Sequence, residues 1–161
     1  MKRASFLELP QIFFLILFVG LFLWNLAIIS APAMVQSQIV MLRYLGTMIY
    51  FFMDPVCHQL PERSLYLMDL PLPICGRCTS IYFAGLITVG WVLIKNGFTH
   101  WPRSVYAGLA ITVALEILME KILLIENWME LRLISGLVFG VLIFRLILEG
   151  VVSEKLRKIN E

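Results

Sequence analysis

The residues best suited to chemistry are concentrated in one segment, DPVCHQLPERSLYLMDLPLPICGRCTS, which spans residues 54–80. This segment holds all 3 cysteines of the chain and one of its 2 histidines. Four prolines restrict its backbone, so closing it around a site costs less conformational entropy than closing a flexible loop. The segment is therefore predicted to be a proline-stiffened loop, residues 54–78, that carries the reactive side chains of the protein.

The cysteines and the histidine have the spacing of metal ligands. Cys75 and Cys78 form a C-x-x-C turn, and Cys57 and His58 lie one loop earlier. Two thiolates at this spacing can hold one ion, and a third thiolate with an imidazole completes a tetrahedral Cys3His set typical of zinc. Adjacent residues rarely bind the same ion, so either Cys57 or His58 could instead hydrogen-bond to a ligand. Zinc is the expected cofactor, although the pattern also admits another transition metal.

Redox chemistry is the main alternative for the same turn. A C-x-x-C sequence directly before a helix is also the layout of a disulfide oxidoreductase. The helix N-terminus and Arg77 would favour the thiolate form of Cys75 or Cys78. A third interpretation is that these are small apolar thiols at a helix boundary. An odd number of cysteines argues against a purely structural disulfide framework, and metal binding is preferred among these alternatives.

Two carboxylates lie within the apolar segment RSVYAGLAITVALEILMEKILLI. Glu116 and Glu120 are four residues apart, so they share one helical face. A carboxylate inside a bilayer needs a partner or a wet cavity, and Arg132 at the start of the next segment could form a fork with it. Either a structural Glu–Arg lock forms, or a polar cavity lies under the cysteine loop and the two glutamates act there as acid and base. The second alternative is preferred.

Three arginines complete the predicted cavity. Arg132 would lie beneath the loop, whereas Arg63 and Arg77 would lie at its rim. A partly buried pocket with cations at its rim suits an anionic ligand, such as a phosphate-bearing lipid or a small acid. These three residues are therefore the predicted ligand-binding groups.

The composition places this site in a membrane protein. Hydrophobic residues make up 60% of the chain and charged residues 15%. A net charge of +2 is too small to favour nucleic acid as a partner. We expect one domain, residues 1–161, in the all-α integral membrane class, with the lipid bilayer as its main partner.

Four apolar segments are predicted to cross the membrane as a four-helix bundle: residues 10–33, 79–95, 103–125 and 131–151. The first resembles a signal peptide at its basic start, but its apolar run is longer than a usual signal core, so we expect a retained helix. A shorter run, residues 39–53, suits an interfacial or re-entrant helix.

The distribution of lysine and arginine predicts the orientation. With four spans, both termini and the turn at residues 95–103 carry the basic residues, which places them in the cytoplasm. The cysteine loop then faces outward from a multi-pass protein of the cell membrane. A fifth span would invert this arrangement, and the loop's own arginines leave that alternative open.

Two further features lie outside the predicted site. Gly136 and Gly140 form a G-x-x-x-G pattern that favours close helix packing, more within the chain than between copies, although an oligomer through them is possible. His100, in the short basic turn, is expected at the membrane interface rather than in a metal site.

The chain resembles a family of small bacterial and archaeal membrane proteins classified as a domain of unknown function. The resemblance covers residues 31–140. It is carried by three segments: Cys-His-Gln-Leu-Pro-Glu-Arg-Ser (57–64), Cys-Gly-Arg-Cys-Thr-Ser-Ile-Tyr (75–82), and Glu116 followed by Arg-Leu-Ile-Ser-Gly (132–136) through Gly140. Glu116 departs from the aspartate that is frequent in the family. The resemblance implies no established activity, but it implies that the loop and the charged helices form one site.

Three functions remain possible at this point. The preferred one is a membrane metalloprotein whose Cys/His site caps an outward polar pocket. Four protein ligands would make the metal structural, whereas three would leave a position for activated water. The alternatives are a thiol–disulfide oxidoreductase that uses Cys75 and Cys78, and a small transporter whose carboxylates carry protons. Whether the protein is an enzyme is left undecided.

Overall fold

The computed structural model describes residues 8–95, 101–122 and 128–160, without the side chains of residues 8–10, 120, 121 and 154–160. His100, the Glu120 side chain and the last residues of the predicted third span therefore lie outside the described part. The described elements are α1 (Glu8–Val35), α2 (Val40–Met53), a 3-10 turn (Pro61–Arg63), β1 (Ser64–Leu67), β2 (Leu70–Cys75), α3 (Gly76–Lys95), α4 (Arg103–Ile122) and α5 (Met129–Asn160).

Within this described part, three helical segments are long and apolar enough to cross a membrane. They are Gln11–Val35, Gly76–Lys95 and Met129–Ser153, which correspond to three of the four predicted spans. Helix α4 has 20 residues, the same length as α3. Glu116, Glu120 and Lys121 place three charged residues within its last two turns. The prediction of a mostly helical membrane protein is confirmed, and a fourth crossing is not shown by length and composition.

Helices α3 and α5 run parallel and pack closely. Successive contacts pair Gly136 with Ser80, Gly140 with Ala84, and Phe144 with Gly85. A Cβ atom on Gly140 would lie only 2.6 Å from the carbonyl oxygen of Ile81, so a larger residue would push the helices apart. The G-x-x-x-G pattern thus serves packing within the chain. The oligomer considered as its other use stays a prediction.

Helix α1 packs antiparallel to α3. Phe18 lies against Gly90 at one end, and the Asn25 side chain donates a hydrogen bond to the carbonyl of Tyr82, at 3.3 Å, near the other. Asn25 also donates to the carbonyl of Leu21, at 2.8 Å, so its buried amide is satisfied. The core between α1, α3 and α5 consists of Phe14, Leu21, Val89, Val92, Phe144 and Leu148.

Helix α4 returns along α5 in the opposite direction. Near the start of α4, the Tyr106 hydroxyl donates to Glu149 at 2.6 Å, and the Trp101 ring lies 4.4 Å from the guanidinium carbon of Arg145. Near its end, Glu116 reaches Arg77 at the start of α3. Since α3 and α5 are parallel, α4 covers the same height as both of them on its way back.

The cysteine segment departs from the predicted loop. Much of it is an antiparallel β1–β2 hairpin, and α3 begins at Gly76 rather than at Thr79. The fold is therefore mostly helical rather than all-α. Met68 and Asp69 make the turn with φ of 53° and 61°. This type of turn matches the twist of a hairpin but usually needs glycine or asparagine, which is why the sequence did not indicate it.

The hairpin and α2 lie against the end of α1. Gly46 of α2 contacts Val35, and Met53 packs in one cluster with Ile28, so α2 runs back along the last turns of α1. The Gln36 side chain donates to the carbonyl of Met68, at 2.5 Å, and ties the hairpin tip to the same place. Helix α2 has 14 residues, too few to cross a bilayer, and its predicted interfacial position stays a prediction.

Candidate metal centre

The three cysteines come from three different parts of the chain and meet at one point. Cys57 follows α2, Cys75 is the last residue of β2, and Cys78 lies in the first turn of α3. Their sulfur atoms all lie within 4.8 Å of one another, and none is in a disulfide. The end of the bundle that carries them is called the cysteine end below.

Local hydrogen bonds place Cys57. Its backbone N–H donates to the carbonyl of Met53 at 3.0 Å, which continues α2 by one turn. Gln59 then adopts a left-handed conformation, with φ of 48°, and its side chain donates to the carbonyl of Tyr50 at 2.6 Å. The Cys57 sulfur in turn accepts a hydrogen bond from the backbone N–H of Cys75 at 3.2 Å. Gln59 was not predicted as a site residue, although it stands inside the Cys-His-Gln segment.

The surroundings of Cys57 are apolar. Its side chain is 8% exposed and packs with Ile28, Met53, Leu72 and Ile74. The partly buried rings of Trp24 and Tyr82 lie at the edge of this cluster, in an edge-to-face contact with centroids 5.6 Å apart. A site shielded from water in this way strengthens the electrostatic attraction between thiolates and a cation.

Contacts with the other two cysteines favour the thiolate form of Cys75. A hydrogen bond from the Cys78 thiol lowers the pKa of Cys75 to about 5, against the opposing effect of burial. Hydrogen bonds from the Cys57 thiol and from the backbone N–H groups of Arg77 and Cys78 act in the same direction. Cys75 is therefore ready to act as a thiolate at neutral pH, and a thiolate is both the metal ligand and the nucleophile of cysteine.

The structure does not bring His58 into this group. His58 is exposed, and the cluster of potential ligands in the described residues consists of the three cysteines. A ligand role for His58 stays a prediction. Three thiolates without it would leave the fourth position of a tetrahedral ion to another ligand.

Arg77 forms the ion pair of Glu116. The Arg77 Nη2 atom donates to the two carboxylate oxygens at 2.9 and 3.1 Å, and its Nε atom donates to the Ser135 hydroxyl at 3.3 Å. The partner expected from the sequence was Arg132. In the structure Glu116 pairs with Arg77, which lies in the first turn of α3 and also reaches Ser135 of α5.

The other two predicted arginines differ in their exposure to solvent. Arg132 is 5% exposed, and its carbonyl accepts a hydrogen bond from Ser135. Arg63 is exposed, and its carbonyl lies beside Gly76. Arg77 engages both oxygens of Glu116, which is the kind of contact a structural ion pair makes. The ligand-binding role of the arginines and the catalytic role of Glu116 and Glu120 stay predictions.

The comparisons with known proteins identify the family. The family DUF2085, described as "Predicted membrane protein", matches residues 57–146, which is more than half of the chain. The chain belongs to this family. The DUF2085 match begins at Cys57 and continues beyond Glu116 and Gly140, so it contains the three cysteines and the Arg77–Glu116 pair. The predicted membership of a family of membrane proteins is thereby confirmed.

One relative extends the similarity beyond the family match. The chain is 27% identical over 134 residues to the uncharacterised protein MJ1492 of Methanocaldococcus jannaschii. The alignment covers 80% of this chain and 85% of the relative. No solved structure matches the chain.

Proposed function

We propose that this DUF2085 protein is an integral membrane metalloprotein that holds one ion of the zinc type through Cys57, Cys75 and Cys78. The observation that carries the proposal is the approach of three sulfur atoms, from the segment after α2, the end of β2 and the start of α3, to within 4.8 Å of one another. Around a tetrahedral ion with Zn–S bonds of about 2.3 Å, the sulfurs would lie roughly 3.8 Å apart. Small side-chain rotations reach that distance.

The proposed ion would pin the hairpin and the end of α2 to the start of α3. Four protein ligands, with His58 turned inward, would close the coordination shell and make the ion structural. Three would leave a position for water or for an external ligand. The ion pair with Arg77 supports the structural role, because it stabilises the charged form of Glu116 and so weakens it as a base. A proton-carrying transporter would need the same ion pair to open.

The proposed membrane position has four crossings, α1, α3, α4 and α5. Helices α3 and α5 are parallel and long enough to span the membrane, and α4 connects the end of α3 to the start of α5. The chain must therefore cross back through α4, which supports its crossing. The ion pair of Glu116 with Arg77 lowers the cost of placing this carboxylate in the bilayer. At the other end of α4, Tyr106 gives Glu149 of α5 a hydrogen-bond donor. The cysteine end then faces outward and both termini lie in the cytoplasm. An anionic lipid headgroup or small acid would meet the exposed Arg63 there.

Metal analysis with thiol counting on the same detergent-purified sample tests the metal site. We expect about one ion per chain and reduced thiols that alkylate slowly until a chelator is added, since metal-bound thiolates are poor nucleophiles. Cys75→Ser should lose the ion, whereas Thr47→Ala, an exposed change on α2, should keep it. His58→Ala distinguishes four protein ligands from three. The affinity for the ion should fall only if His58 is the fourth ligand.

Thiol–disulfide exchange is the second candidate, favoured by the position of the C-x-x-C turn between β2 and α3. In this reaction the Cys75 thiolate would attack a partner's disulfide and release one partner thiolate. Cys78 would then attack the mixed disulfide, release the second partner thiolate and leave a Cys75–Cys78 disulfide. Metal-free protein with that disulfide formed, and with one fast-alkylating cysteine after reduction, would replace the zinc proposal with this one.

A further inference from the structure

The C-x-x-C turn carries two kinds of contact. Cys75 and Cys78 point their sulfurs toward Cys57, whereas Arg77 between them points to α4 and α5. The Arg77–Glu116 pair is partly buried, with side-chain exposures of 25% and 19%. An ion pair that is shielded to this degree holds its partners more firmly than a surface pair. The conformation of the turn is thus set partly by a residue of α4.

Two contacts with α5 restrict the same turn. Ser135 accepts a hydrogen bond from the Arg77 Nε atom at 3.3 Å. The backbone of Arg77 packs directly against Gly136, where a Cβ atom would collide with its carbonyl. The backbone of Arg77 therefore has little freedom, and Glu116 fixes the direction of its side chain.

Most described side chains of α4 are exposed or half-buried. Among its described side chains Val113 is the buried one. Its first turns are held by Tyr106 and Glu149. At its other end, the ion pair between Glu116 and Arg77 joins α4 directly to the C-x-x-C turn.

We propose that Glu116 is a positioning residue for the metal site. By holding Arg77, it keeps the C-x-x-C turn in the conformation in which Cys75 and Cys78 face Cys57. This inference rests on the proposed metal site and adds to it a residue that does not touch the ion. Coupling between two equilibria is reciprocal. If the Glu116 contact raises the affinity for the ion by some factor, the bound ion must raise the equilibrium constant for that contact of α4 by the same factor.

The affinity of the full-length protein in detergent for Zn²⁺, measured by competition with a chelator, tests the proposal. Glu116→Gln should weaken binding about tenfold, and Glu116→Asp should weaken it less, since it keeps the charge but shortens the reach. The control is Glu149→Gln, which removes a contact of α4 about 20 Å away along α5 from Gly136. It should leave the affinity within about twofold of the unchanged protein.

Hydrogen exchange of α4 measures the reciprocal effect. Residues 103–122 should exchange more slowly with Zn²⁺ than without it in the unchanged protein. The difference should shrink in Glu116→Gln and persist in Glu149→Gln. If Glu116→Gln does not fold, Glu116→Asp and this exchange measurement carry the test.

The outcomes separate the inference from the proposed function. An unchanged protein that binds no Zn²⁺ would overturn both. Two results would overturn the positioning role alone. One is that Glu116→Gln binds Zn²⁺ as tightly as the unchanged protein. The other is that Glu116→Gln and Glu149→Gln weaken binding to the same extent. A selective loss in Glu116→Gln, with partial recovery in Glu116→Asp, would establish it.

Discussion

Gln59 shows how one residue can decide where a ligand lies. Its left-handed backbone, with φ of 48°, reverses the chain directly after Cys57. For a residue other than glycine this conformation costs roughly 1–2 kcal/mol. The hydrogen bond from its side chain to the carbonyl of Tyr50, at 2.6 Å, offsets part of that cost and adds to the bond that the same carbonyl accepts from the Asp54 N–H. The position of Cys57 thus depends on a neutral side chain two residues away.

Replacing Gln59 tests this dependence. Gln59→Ala keeps the unfavourable backbone conformation but loses the hydrogen bond, so we expect a loss of about 1 kcal/mol in stability. The metal content after dialysis against a weak chelator should fall as well. Thermal melting in detergent and metal analysis check the two effects. Gln38→Ala, the same change at an exposed position, should alter neither, and an equal response of both variants would contradict the role given to Gln59.

At the level of elements, the parallel packing of α3 and α5 fixes the height of the cysteine end. The small residues at the contact let the two backbones approach, which is how helices associate tightly in lipid. Gly140 lies at the centre of this contact, between Ile81 and Ala84. By contrast, Gly150 on the same helix has no neighbouring atom within 4 Å of the position that a Cβ atom would take.

These two glycines give a matched pair of substitutions. Gly140→Ala should destabilise the protein by about 1–3 kcal/mol, because the added methyl group overpacks the α3–α5 contact. Gly150→Ala should be neutral or stabilising by up to about 1 kcal/mol, since alanine is the better helix former. Thermal melts of both variants in the same detergent provide the comparison. A larger loss from Gly150→Ala would argue against the parallel arrangement.

The helices were predictable from the sequence and the hairpin was not. Long apolar runs specify α1, α3 and α5. The bounds of α1 and α3 lie within three residues of the predicted 10–33 and 79–95, whereas α5 continues to Asn160, beyond the predicted end at residue 151. The strands β1 and β2 are short, contain two prolines, and join through Met68 and Asp69, which are not usual residues for that turn. The convergence of the cysteines followed from their spacing. The pairing of Glu116 with Arg77 was not predicted, because sequence spacing does not show which arginine a carboxylate meets.

At the scale of the whole molecule, the two ends of the bundle carry different kinds of residues. The cysteine end has the hairpin, α2 and the Arg77–Glu116 pair. The opposite end has Trp101, Tyr106, Arg145 and Glu149, with Lys95 stacked 5.1 Å from the ring centre of Trp91. Aromatic and basic residues of this kind are typical anchors at a membrane surface.

Labelling in intact cells tests the direction of the bundle. In a background with the native cysteines replaced, Asp69→Cys at the hairpin turn should react with a membrane-impermeant thiol reagent. Arg103→Cys at the start of α4 should react only after lysis. Both positions are exposed, so access differs only through the membrane. The reverse pattern would support the inverted orientation that a fifth span predicts.

The order of the elements along the chain has a consequence for biosynthesis. The apolar residues that pack with Cys57, from Trp24 to Tyr82, all precede the end of α3. The ligands can therefore gather while the ribosome is still translating α4 and α5, whereas the contact of Arg77 with Glu116 must wait for α4. A nascent chain could thus capture its ion early and have the site secured only when synthesis is complete.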